Sequence, residues 1–202
     1  KFYFINKKKD LNYKKIKRIN PYLIFIPHWH WKIENKIVTD YNCIGFHSAP
    51  LPYGRGGSPI QNLIIRGFKE TDVCAFKMNE RFDAGDVYLR KKLSLKGSGN
   101  EIFQNLYKKI EKMIGILIFN LPKPKKQVGK VVFFKRRRPE ESEINFKKKL
   151  NFINDFIRML DIDKKNFPKA FTRVGKYKII LYRSKFNKKK ITGNFTIKKI
   201  NE

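Results

Sequence analysis

The stretch 46–64, FHSAPLPYGRGGSPIQNLI, restricts the fold more than any other part of the chain. Three glycines and three prolines fall within it. Proline lacks the backbone donor that a ladder or helix interior needs, and glycine leaves the backbone loose, so neither a central strand nor a helix interior fits. The stretch reads as a shaped loop. It carries His47 out of a short apolar run and delivers the chain to a helix opening at Ser58-Pro59. Serine suits the cap, proline suits the first helical position, and Gly67 is the expected stop.

Around this loop the pattern alternates between strand and helix. Residues 22–27 (YLIFIP) and 42–47 (NCIGFH) read as buried strands between turns. The connection between them is long enough for a crossover joining parallel strands. Further strands are predicted over 72–79 and 86–95, then a helix from Gly99 to Asn120 whose Ile102, Leu106, Ile110, Met113 and Leu117 recur at helical spacing. The Pro- and Lys-rich LPKPKKQ at 121–127 reads as a hinge or loop. A strand over 128–136 and the turn RRPEES follow. Then come a helix with Leu150, Ile153, Ile157 and Leu160 on one face, and strands over 175–183 and 191–200. The expected class is α/β over residues 1–120 with a small α+β appendage over 121–202.

Composition bounds the partners. The net charge of +30 suits a polyanion such as RNA, an acidic membrane or a phosphorylated small molecule. The lysines are spread along the chain rather than gathered in one stripe, which equally describes a solvated surface. Cys43 and Cys74 lie far apart without CxxC spacing, so a reducing compartment and no disulfide framework are expected. The run IGILIF at 114–119 is too short to span a bilayer, and the first residues carry no signal-peptide pattern. A cytoplasmic location and no membrane partner follow as expectations.

Three histidines are present: His28, His30 and His47. All three stand at ends of predicted strands, where open α/β sheets bind ligands. A second loop, MNERFDAGDVY, carries Asp83 and Asp86 around Gly85. His47 and Asp83 can form a base with its orienting carboxylate; the plainer alternative is a loop histidine and a turn former. His28-x-His30 with His47 and Asp83 holds enough ligands for zinc, but no second spaced cluster supports it, and the expectation is no metal. PHWHW reads more simply as an aromatic lip on which a planar ligand stacks. YGRGGSP looks like a phosphate cradle at a helix start, yet it lacks the Gly-Lys-Ser/Thr ending and is not GxGxxG.

His47, Leu51-Pro52, Arg55-Gly56-Gly57, Pro59 and then Asp83-Ala84-Gly85-Asp86 resemble the Asn-x-His…LP…RG…P…D-x-G-D pattern of the folate-dependent formyltransferase family. PYLIFIPHWHW resembles the family's preceding strand and pterin-side loop. FKRRRPEESEINF with INDFIRMLD and FPKAFT resembles its segment after the core, so the likeness runs from about residue 20 to 172. The resemblance implies a Rossmann-like core, with too few residues before the first strand for the family's whole opening β-α-β unit. It implies formyl transfer from N10-formyltetrahydrofolate to a primary amine, with His47 and Asp83 catalytic. Met78, Asn79, Glu80, Arg81, Phe82 and Trp29 would meet the folate. His28, His30, Arg55 and Lys77 would meet the substrate. The family's Asn falls on Gly45. With only about thirty residues after FPKAFT, the tail looks too short for the β-barrel of the tRNA-specific branch. The wording of the loop and tail looks closer to enzymes that formylate UDP- or dTDP-linked amino sugars for surface glycans. That branch is the sequence expectation, with no specific nucleic acid partner and a homodimer allowed. A methionyl-tRNA formyltransferase-like enzyme and a non-catalytic basic RNA-binding protein are the alternatives.

Overall fold

The computed structural model describes residues 1–27, 31–165 and 167–200. In chain order the elements begin with α1 (Tyr13–Ile19), β1 (Ile24–Ile26), α2 (Asn35–Asp40), β2 (Cys43–His47), β3 (Tyr53–Gly56), α3 (Pro59–Ile65) and β4 (Glu70–Lys77). β5 (Val87–Ser94), α4 (Gly99–Phe119), β6 (Val132–Phe134), α5 (Leu150–Met159), β7 (Phe171–Val174), β8 (Tyr177–Asn187) and β9 (Lys190–Lys199) follow. Residues 1–56, 72–91 and 108–133 form one compact unit; residues 57–71, 92–107 and 134 onward form another.

The first unit is built on the sheet β1-β2-β4-β5. β1 and β2 are parallel, with Ile24 opposite Cys43 and Ile26 opposite Gly45, so the 27–42 connection is the expected crossover and contains α2. Ile16 of α1, Ile33, and Ile37 and Val38 of α2 form one cluster with Cys43. Burying each of these aliphatic side chains contributes about 1.5–3 kcal/mol. α1 was not legible in the sequence: Ile16 is its single buried residue, too little to set a helical period. A second cluster joins Leu51, Cys74, Phe76 and Val87. All five apolar positions predicted for α4 are buried.

β4 runs antiparallel to β2, with His47 opposite Cys74 and Ile44 opposite Lys77. This departs from a sheet whose strands all end at one edge. β3, inside the Gly/Pro loop, pairs with β6. A four-residue strand, Tyr-Gly-Arg-Gly, carries no apolar alternation that could have announced it.

In the second unit α3 packs on α5, and α5 packs on β8. Ile153, Ile157 and Leu160 are buried as predicted, whereas Leu150 at the helix start is exposed. The strands β7, β8 and β9 form an antiparallel meander. β7, which follows Phe167-Pro168, is an element the sequence did not announce. Ser58 does not cap α3. It adopts a left-handed conformation with no cap bond from its side chain, and its hydroxyl accepts the Arg137 N–H at 3.1 Å. The Asn62 amide ties the same corner together, donating to the carbonyls of Gly57, Ser58 and Lys135. Among the described residues no helix is long and apolar enough to cross a membrane.

Candidate active site

His47 closes β2 and is buried. The loop after it folds back, so that Nε2 of the ring lies 2.7 Å from the Gly54 carbonyl. A carbonyl only accepts, so this nitrogen carries the proton and Nδ1 is the atom left to exchange one. Nδ1 faces the Asp83 carboxylate at 3.6 Å. The same carboxylate accepts the Gly56 N–H at 2.8 Å, which fixes its oxygen between loop backbone and ring.

Strand ends alone do not bring His47 and Asp83 together. β4 ends opposite Ile44, three residues from His47 along β2, or about 10 Å. The 78–86 loop covers that distance by turning back along the sheet. Its base is pinned by hydrogen bonds from Lys77 N–H to Asp86 O and from Met78 N–H to Cys43 O, both 2.8 Å. Asp83 takes a left-handed conformation (φ 50°) at the turn. Gly85 is required by space: a Cβ there would lie 1.6 Å from the Lys77 carbonyl oxygen.

The other expected residues are spread along this loop. Met78 is partly buried against both apolar clusters. The Asn79 side chain accepts the Arg81 N–H at 3.0 Å. Lys77, Glu80, Arg81 and Phe82 are exposed, Phe82 at 72%. Arg55 is engaged internally, its Nη2 and Nε donating to the Gln127 side chain at 2.7 and 3.2 Å. His28, Trp29 and His30 lie outside the described residues.

Two residues near His47 and Asp83 escaped the sequence reading. Gln127 donates to the carbonyls of Asp83 and Gly85, each at 2.8 Å. Arg90 donates to the Leu51 carbonyl at 2.6 Å and to Cys74 Sγ at 3.2 Å, tying down the loop that follows His47. Cys74 is no nucleophile: burial pushes its thiol up to about 11, and Cys43 is pushed up to about 12. At Gly45 a Cβ would lie 2.8 Å from Phe76 Cζ and 3.1 Å from Met78 Cγ. The ring of Phe76, paired across the sheet from Gly45, fills the space a side chain would need.

Residues 6–118 match the model of the formyl transferase family, and these include His47, Asp83 and the loops that carry them. The chain belongs to the formyl transferase family. Residues 139–198 match a second family model, the C-terminal domain of methionyl-tRNA formyltransferase. A methionyl-tRNA formyltransferase of Malacoplasma penetrans is 30% identical over 91% of this chain, which spans 59% of that relative's length. The structure of a methionyl-tRNA formyltransferase from Clostridium thermocellum superimposes with a TM-score of 0.91 at 41% identity, over 96% of this chain and 86% of that one. A 4-N formyltransferase from Francisella tularensis superimposes at 0.67 with 17% identity, over 94% and 75% of the two chains, a likeness of fold alone. The expected Rossmann-like core with a small C-terminal extension is thus the family's fold. The match over 139–198 also answers the tail-length argument. Those residues, including β7–β9, align with the tRNA-branch domain even though they do not by themselves make a five-stranded barrel.

Proposed function

We propose that the chain transfers the formyl group of N10-formyltetrahydrofolate to the α-amine of methionyl-tRNA. The observation that carries this reading is the match of residues 139–198 to the C-terminal domain of methionyl-tRNA formyltransferase. Charge supports it: every charged residue between Phe171 and Ile200 is Lys or Arg. A polynucleotide phosphate backbone is the partner such a segment suits. The amino-sugar reading retains only distant fold neighbours in its support. Formyl chemistry is assigned to the loops that carry His47 and Asp83, and substrate capture to residues 139–198.

In this reading the amine attacks the formyl carbon, the new C–N bond forms, and the bond from carbon to folate N10 breaks. The products are a formamide and tetrahydrofolate. The proton that the amine loses passes through His47 Nδ1 to N10. Asp83 steadies the ring while it carries charge. Glu80, Arg81 and Phe82, exposed on the 78–86 loop, offer backbone and ring surface to the pterin.

Full-length protein is incubated with formyl-folate and either charged initiator tRNA or a panel of UDP- and dTDP-amino sugars, and formyl incorporation is followed. Formylation of the charged tRNA is expected. Modification of a sugar instead would overturn the substrate, and RNA binding without folate consumption would overturn the enzyme. His47→Ala and Asp83→Asn are each expected to lower turnover by about 10²–10⁴-fold. Near-normal rates in both would remove this pair from the chemistry.

A further inference from the structure

Gln127 sits in the Pro/Lys-rich stretch that the sequence presents as a hinge, yet its side chain makes four hydrogen bonds beside Asp83. A primary amide has two N–H donors and an oxygen with two lone pairs. Here all four are engaged. Nε2 donates to Asp83 O and Gly85 O, and Oε1 accepts from Arg55 Nη2 and Nε. The segment that delivers it is itself fixed: Lys125 and Val87 exchange backbone hydrogen bonds of 2.8 and 2.9 Å at the start of β5. On the far side of the amide, Asp83 is a non-glycine residue in the left-handed region, uncommon for side-chain-bearing residues though among the most accessible to Asp and Asn. Its carboxylate stands 3.6 Å from His47 Nδ1, a separation that a small drift of the turn would widen.

We infer that Gln127 is a positioning residue. It clamps the Asp83–Gly85 turn from behind and so holds the Asp83 carboxylate against His47, while Arg55 orients the amide by occupying its oxygen. Arg55 is then a brace for the site rather than a free cation awaiting an anionic ligand. The inference rests on the formyl-transfer reading for its effect on rate, but its structural content stands apart from that reading.

Two variants separate the halves of the clamp. Gln127→Ala removes both. Gln127→Glu keeps the length and an oxygen for Arg55 but replaces the two donors by a carboxylate oxygen set against two carbonyls. Both are expected to lower kcat on the order of a hundredfold, with KM for amine and formyl-folate nearly unchanged. Amide hydrogen exchange over residues 83–86 is expected to quicken in both. Wild-type kcat in Gln127→Glu, a loss confined to KM, or unchanged exchange over 83–86 would overturn the inference. The exchange measurement needs no turnover, so an inactive wild-type protein would sink the formyl-transfer reading while the clamp is still tested. If Gln127→Ala fails to fold, the near-isosteric Glu variant carries the test.

Discussion

Gly45 and Phe76 share one volume beside His47. Because Phe76 is almost fully buried, its ring has little room to yield to a side chain at position 45. Gly45→Asn is therefore expected to cost about 1–3 kcal/mol of stability through overpacking, read as a lowered denaturation midpoint, without raising turnover. A variant as stable as wild type and faster would show that the ring moves freely. The cysteines make a second prediction at this scale. Buried thiols held near 12 and 11 present almost no thiolate at neutral pH, so a disulfide reagent is expected to titrate Cys43 and Cys74 only after unfolding. That His47 and Asp83 come together was legible because they sit in a pattern of several residue types at fixed separations. Gln127 and Arg90 were not. Each is a lone polar residue with no periodicity, and what gives it meaning is a carbonyl far away in sequence.

α4 shows how much local chemistry alone can specify an element. Its apolar stripe was readable from spacing, and its start is fixed by a reciprocal pair. Ser98 Oγ accepts the Glu101 N–H, while the Glu101 carboxylate accepts the Ser98 N–H and hydroxyl. Ser98→Ala is expected to cost about 1 kcal/mol in chemical denaturation. The bonds from Ser98 hold the Glu101 carboxyl below its ordinary range. A depressed carboxyl contributes stability above the ordinary glutamate range and loses it as the pH falls through that range and below. Glu101→Gln is therefore expected to flatten the acid limb of the stability profile, and an unchanged limb would count against the pair. Strand direction was less legible. Nothing in the residues of β4 distinguishes antiparallel from parallel pairing, because both leave a buried apolar run, and the short β3 and β7 carry too few side chains to set a period. Gly85 fixes the loop between β4 and β5 by space. Gly85→Ala must open the turn at the Lys77 carbonyl, with loss of activity expected even where the fold survives.

For the molecule as a whole, charge separates the proposed substrates. If β7–β9 grip a nucleic acid backbone, the logarithm of affinity for charged tRNA is expected to fall linearly with the logarithm of salt. Replacing Lys188, Lys189 and Lys190 by Gln is expected to make that slope shallower. A salt-insensitive affinity would point back to a small substrate. The class of the fold was readable from alternating strands and helices. The branch of the family was less legible: the length and wording of the tail suggested the amino-sugar branch, while residues 139–198 match the methionyl-tRNA formyltransferase C-terminal domain. The lock on the 83–85 turn has a consequence in time. A ribosome makes the chain from the N-terminus, so His47, Arg55 and Asp83 all emerge well before Gln127 does. While Gln127 is still inside the ribosomal tunnel, the nascent chain holds His47 and Asp83 but not the amide that bonds the Asp83–Gly85 turn. If this pair carries the proposed formyl transfer, competence for it is a late event in synthesis, reached only when the stretch after α4 has docked.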